Sequence, residues 1–282
     1  NLLNILRQIS MFGIVVVGYT MVMISGGCDM SVGGQLALCG MFAATLNVTY
    51  GLPTFVVVIL TLMLGALFGL INGLLMNVFN IMPLIVTLGT MLFFQGASYI
   101  ISGGVAIFGL SDSFKFIGQG YLGFVPLPIV ILLVIGVLGY IVLHKTYFGR
   151  QIYAMGGNPE AARLAGVNIK KYRLAVFTIT GILAAAAGII MAARTGSAQP
   201  SAGASYPFDC MTAVVLGGVS FAGGSGSMLG AMMGVIIIGV LNNGMQLIGM
   251  DSNMINCVKG IVLLIAIGID SVQRTGKKAK KV

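Results

Sequence analysis

Residues 52–78 read Leu-Pro-Thr-Phe-Val-Val-Val-Ile-Leu-Thr-Leu-Met-Leu-Gly-Ala-Leu-Phe-Gly-Leu-Ile-Asn-Gly-Leu-Leu-Met-Asn-Val, without one charged side chain. A helix rises about 1.5 Å per residue, so about 20 apolar residues cross the hydrocarbon core of a bilayer. This run is long enough with more than a turn to spare. Working outward, eight further apolar stretches lie at about 10–27, 31–48, 82–101, 126–143, 172–194, 208–222, 228–249 and 254–270. The expected architecture is an all-α polytopic transmembrane bundle of nine spans, filling one membrane domain from 1 to 282.

Composition excludes the main alternatives. Of 282 residues 58% are hydrophobic and 7% charged, with mean hydropathy +1.05. A soluble domain carries about 25% charged residues, and nine spans of about 20 residues leave only loops and a tail. No room remains for a soluble catalytic or nucleotide-binding domain, so the chain is not expected to be an enzyme. The net charge of +9 is a signal of membrane orientation here, not of nucleic-acid binding. Cys28, Cys39, Cys210 and Cys257 lack metal-ligand spacing and are expected to behave as small buried hydrophobes.

Charge placement orients the chain. The segment from Lys145 to Arg173 and the tail at 271–282 together hold eleven of the fifteen Lys and Arg residues, which puts both in the cytoplasm. Four crossings between them return the chain to the same side. Counting back from Lys145 puts Asn1 outside, so one further helix upstream is expected, giving about ten spans in all. Loops 102–125 and 195–207 then face outside. Gly pairs at 26–27, 33–34, 103–104 and 217–218 interrupt the apolar runs. They predict broken helices, which fit both a transport path and close backbone packing.

Inside the cytoplasmic loop lies Gly156-Gly-Asn-Pro-Glu-Ala-Ala-Arg-Leu-Ala-Gly166. Asn158 suits an N-cap, Pro159 the first helical position, Glu160 the first turn, and Gly166 the position just past the end. These signals predict a helix over 159–165, roughly 10 Å long. So short a helix is unstable alone in water and must dock, on its own bundle or on another protein.

Glu160-Ala161-Ala162-x-x-x-Gly166 resembles the EAA-type coupling motif in permease subunits of ATP-binding-cassette importers. The preceding Tyr147-Phe-Gly-Arg-Gln-Ile-Tyr-Ala-Met-Gly-Gly-Asn158 is similar to the same region of sugar-import permeases of the ribose type. The resemblance continues through Asn1-Leu-Leu-Asn-Ile-Leu6, Gly27-Cys-Asp-Met-Ser-Val-Gly33, Ala198-Gln-Pro-Ser-Ala-Gly203, Ala213 to Ser227, and Leu241-Asn-Asn-Gly244. Xylose, galactose and autoinducer-2 permeases resemble it too. One departure is Tyr206-Pro-Phe-Asp209, where the family pattern is Tyr-Glu-Leu-Asp, so no role of that glutamate carries over.

The resemblance implies a bacterial inner-membrane permease that pairs with a second permease subunit, homo- or heterodimeric. It implies cytoplasmic ATPase subunits, which bind the ATP and Mg that this chain does not, and an extracytoplasmic sugar-binding protein. Gly157, Asn158, Pro159, Glu160, Ala161, Ala162, Arg163 and Gly166 would couple to the ATPase. The cargo implied is a monosaccharide of the ribose kind. Alternatives are a branched-chain amino acid permease of the same importer class and a secondary carrier or channel for a neutral solute.

Amides and hydroxyls inside the spans are candidates for a polyol path: Asn72, Thr90, Gln95, Asn242 and Asn243, with Thr87 and Gln246 beside them. Helix–helix hydrogen bonding is the competing role for each. Gln95 stands out by its neighbours Phe93 and Phe94. Asp29, Asp209, Asp251 and Asp270 all read as near span ends, so no span centre offers the acidic group a self-powered carrier uses. Lys259, inside the last span, is expected to snorkel outward, and His144 to sit at the interface. Gly223-Gly-Ser-Gly-Ser227 lacks the Lys of a phosphate loop and is expected to be a tight cytoplasmic turn.

Overall fold

The computed structural model describes residues 2–279, with side chains from 5 to 272. In chain order the elements are α1 (Leu2–Ile24), α2 (Val32–Val48), α3 (Thr54–Phe79), α4 (Pro83–Ser102), β1 (Ile107–Phe108), α5 (Asp112–Gln119), β2 (Tyr121–Leu122) and β3 (Val125–Pro126). They continue as α6 (Leu127–Lys145), α7 (Tyr147–Gly157), α8 (Pro159–Leu164), α9 (Ile169–Thr195), β4 (Ser197–Ala198), α10 (Tyr206–Leu216), α11 (Met228–Leu247) and α12 (Ser252–Ala279). Most of the basic tail expected at 271–282 lies outside the described side chains.

Every one of the nine apolar stretches is helical, but the expected count of nine full spans is not met. Among the described residues seven helices are long and apolar enough to cross: α1, α3, α4, α6, α9, α11 and α12. The other two are shorter, α2 with 17 residues and α10 with 11. Eleven residues rise about 16 Å, roughly half the hydrocarbon thickness. The apolar run at 208–222 continues past Leu216, but the helix stops there because Gly218 adopts φ +80° and the chain turns. Hydrophobicity marks where the chain is buried and is silent on where its backbone breaks.

The loops gather in two groups. At one end Asn77 Nδ2 donates to Lys170 O (2.9 Å) and Met228 N to His144 Nε2 (3.1 Å), beside the basic loop 145–173. At the other, β1 pairs with β4 through Ile107 opposite Ala198, and Asn47 Nδ2 donates to Ser111 Oγ (3.0 Å). The loops at 102–125 and 195–207 are therefore hydrogen-bonded to each other, opposite the basic loop.

α1 and α9 form the centre. Ile14, Val15, Val16, Tyr19 and Val22 of α1 are fully buried. α9 approaches α2 and α3 backbone to backbone: a Cβ on Gly65, Gly69 or Gly188 would collide with Gly181, Phe177 or Leu36 respectively. Without a hydrophobic force between helices in lipid, such close packing is what holds them. α3, α4, α6, α11 and α12 carry exposed apolar faces, as at Phe55, Ile100, Leu133, Ile237 and Leu264. Cys39 and Cys210 are buried as expected, Cys28 is half-buried, and Cys257 on α12 is exposed.

Candidate functional site: a cytoplasmic coupling face and a polar cavity

The cytoplasmic face is built locally. Thr146 Oγ1 caps α7 by accepting from Gly149 N (3.4 Å), and Ile152 and Met155 bury the inner side of that helix. Asn158, at φ −155°, then accepts from Ala161 N through Oδ1 (3.1 Å), with Pro159 opening α8. Gly166 N and Val167 N donate back to Arg163 O and Ala162 O, both at 3.0 Å, and Gly166 takes φ +84°. A residue with a side chain would be strained there. The observed helix is Pro159–Leu164, one residue shorter than expected, with Ala165 as its C-cap.

α8 turns one side chain inward, Ala162 at 4% exposure. Gly157, Asn158, Pro159, Glu160, Ala161, Arg163 and Gly166 are exposed, and so is Leu164, at 84%. Glu160 and Arg163 pair at 2.9 Å across one turn. The exposed face thus mixes a capped helix, one ion pair and a bare leucine.

Behind α7 lies the glycine turn at 223–226. Gly224 N donates to Ile24 O (2.8 Å), and Tyr153 Oη donates to Gly226 O (2.8 Å). Burial holds the Tyr153 phenol above its usual range, so it stays a donor. A Cβ on Gly156 would collide with both Ile24 O and Gly224 N. The segment 223–227 is the turn the sequence suggests, and it joins α10 to α11 directly under the coupling loop. His144 is not a free interfacial group, since its Nε2 accepts from Met228 N at the start of α11.

The five path candidates are not brought together. Asn72 is fully buried in a knot where Ser31 Oγ donates to Asp29 and accepts from Gln35 Nε2 (2.6 Å) and Asn72 Nδ2 (2.8 Å). Thr90 bonds back to Thr87 O (3.4 Å) within α4, and Thr87 to Pro83 O (3.0 Å). Gln95 is half-buried, but its aromatic neighbours diverge: Phe94 is buried against Phe68 at 4.4 Å, while Phe93 is exposed. Asn242 and Asn243 are half-buried on α11. Asn242 lines a cavity of about 190 Å³ that Gln246 also borders, and Asn242 Oδ1 is buried there with no partner.

The residues that do converge are ones the sequence reading left aside. Lys259 Nζ lies 2.9 Å from Asp209 Oδ2, with side chains 16% and 8% exposed. Asp209 Oδ2 also accepts from Ser205 Oγ (3.0 Å). Lys259 therefore does not snorkel outward. Its ammonium turns inward because α10 offers a carboxylate at the same depth, which satisfies the charge better than a reach to the membrane surface. Beside the pair opens a cavity of about 740 Å³ between α9, α10 and α12, bordered by Thr212, Gln246, Asn256 and Phe208 among others. The available signal was one lone cation and one lone acid, each inside an apolar stretch. Asp29 and Asp209 do fall at helix ends, between α1 and α2 and in the first turn of α10, and both are buried there.

Comparison with known proteins identifies the family. The family model described as branched-chain amino acid transport system / permease component matches residues 1–267. The ribose import permease protein of Bacillus subtilis is 42% identical over 272 residues, covering 96% of this chain and 84% of that one. The galactose/methyl galactoside import permease protein of Haemophilus influenzae is 36% identical over 296 residues (99% and 88%). The xylose transport system permease protein of the same organism is 34% identical over 332 residues (96% and 88%). No solved structure gives a significant match. A chain of apolar helices that presents a capped cytoplasmic helix, and that aligns nearly end to end with these proteins, belongs to the family of ribose, xylose and galactose transport permeases.

Proposed function

We propose that this chain is the membrane-spanning permease subunit of a bacterial inner-membrane importer of the ATP-binding-cassette class, carrying a ribose-like monosaccharide inward. It performs no bond chemistry itself. Separate ATPase subunits bind ATP and Mg and engage α8. A sugar-binding protein delivers cargo to the outer face formed by 102–125 and 195–207, and a second permease subunit completes the path. The names of the relatives support the cargo, and the exposed helix supports the coupling.

The observation that carries this reading is the construction of α8. It is fully capped, yet only Ala162 packs on its own chain and Leu164 stands 84% exposed. A six-residue helix so presented gains stability from a partner groove. Closure of the ATPase pair would press α8, and α7 would pass the movement to the glycine turn through Gly156 and Gly224. That turn leads into α11, and residues 217–222 connect it back to α10, the half-length helix that carries Asp209. Two backbones in contact, with no side chain between them, transmit displacement with little slack.

Leu164→Asp tests the docking step. It alters a side chain outside the fold, so thermal stability in detergent should stay unchanged while uptake in the reconstituted importer falls by about tenfold or more. Full uptake in that variant would sink the assignment of α8 to the ATPase. Ala162 is a poorer site for this test, because it is buried and a charge there would damage the loop itself. The family description also names branched-chain amino acids. Mass spectrometry of the ligand retained by the co-purifying binding protein decides between a sugar and an amino acid. A secondary carrier or channel would transport with no ATPase present.

A further inference from the structure

Among the described residues, none of α7 or α8 lines the large cavity beside Asp209 and Lys259. Its volume of about 740 Å³ falls in the range of small-molecule sites, about 300–1,000 Å³. Thr212, Gln246 and Asn256 give it hydroxyl and amide groups, while Met191, Phe208 and Leu263 give it apolar faces. The ion pair also borders the smaller cavity of about 190 Å³, so it is a wall common to both. Asn242, which also lines that smaller cavity, keeps a buried Oδ1 with no hydrogen-bond donor among the described residues.

The chemistry of this wall selects its occupant. The pair has no net charge, so a charged solute would have to displace one partner across 2.9 Å. A neutral solute has no such obstacle. Lys259 has three N–H donors and uses one on Asp209, whose carboxylate has acceptor capacity beyond the bonds from Lys259 and Ser205. A hydroxyl both donates and accepts. Two adjacent hydroxyls of one solute can therefore accept from the ammonium and donate to the carboxylate, leaving the pair intact. The apolar faces suit the C–H sides of a sugar ring.

We propose that Asp209 and Lys259, with the cavity they border, form a binding station for a neutral polyol with vicinal hydroxyls. The inference rests on the importer reading above and identifies where its monosaccharide is held within this chain. Charge-assisted bonds give the station its selectivity. Because each charge already has a partner, a hydroxyl gains only the difference, and the solute can leave again.

The test uses the complete importer in proteoliposomes, with uptake of labelled D-ribose, D-xylose and D-galactose measured beside ATP hydrolysis. The double variant Asp209→Leu with Lys259→Met removes both charges and leaves neither one buried alone. Expected is ATP hydrolysis within about twofold of the unaltered importer and uptake lower by about tenfold or more. Unchanged uptake overturns the proposal. So does parallel loss of hydrolysis and uptake in an assembled complex, which would make the pair a structural brace. An unaltered complex with no ATP hydrolysis would strike the importer reading itself. Should the double variant fail to insert, Asn256→Cys in a Cys257→Ser background replaces it. A small hydrophilic thiol reagent must then block uptake, while the same reagent on native Cys257, on the same helix but outside the cavity lining, must not. Insensitivity at position 256 overturns the proposal.

Discussion

The coupling helix and the Asp209–Lys259 cavity are both polar features of an apolar chain, but they are made in opposite ways. Every bond that shapes α8, from Asn158 Oδ1 to the amide of Val167, joins residues at most five apart. The cavity depends on partners fifty apart, brought together because α12 packs beside α10. The first is fixed by residue types at set offsets. The second exists only once the whole bundle has closed. A site of the first kind tolerates changes elsewhere in the bundle, and one of the second kind reports on them.

The largest expected effect falls where the two regions meet. Gly156→Val puts a branched side chain into the backbones of Ile24 and Gly224. Overpacking of this sort costs about 1–3 kcal/mol, and here it also separates the 145–173 loop from the glycine turn at 223–226. Uptake should be abolished, with a lower unfolding temperature in detergent; normal uptake would mean that the movement travels by another route. Next comes Lys259→Met alone, which leaves Asp209 buried without its cation. Such a removal costs about 3–5 kcal/mol, and adding Asp209→Leu should recover most of the lost thermal stability. Failure to recover it would mean that the buried charge is not the cause.

The sequence exposes the local region almost completely and the distant one hardly at all. Asn158, Pro159 and Gly166 announce the helix and both its ends, within one residue of the observed Pro159–Leu164. The nine apolar stretches are all helical, but the half-length α10 is invisible because Val219, Phe221 and Ala222 keep the run apolar after the backbone has turned. Lys259 reads as a charge in need of escape, since nothing within a few residues can pair with it. The aromatic neighbours of Gln95 diverge for a related reason: Phe93 and Phe94 are adjacent in sequence, but successive helical residues point about 100° apart. The polar candidates on α4 and α11 were chosen by composition, and only the packing of α10 and α12 decides which of them meets a cavity.

The smallest effects sharpen the contrast most, because they test whether α8 is as self-contained as its bonds suggest. Asn158→Ala removes one cap and should cost about 1 kcal/mol, lowering affinity for the ATPase roughly fivefold while the rest of the bundle unfolds at its usual temperature; Asn158→Ser should restore it. A global loss of stability would mean that α8 braces the bundle. The Glu160–Arg163 pair gives the finer measure. Both side chains are mostly exposed, 76% and 68%, so their coupling in a double-mutant cycle should be only about 0.2–0.5 kcal/mol. Asp209 and Lys259 have the same separation, 2.9 Å, yet their cycle should give a larger coupling, because side chains 16% and 8% exposed are screened less than the outer pair. Equal couplings would mean that water reaches the inner pair freely, and the distinction between a local surface feature and a closed interior one would fail.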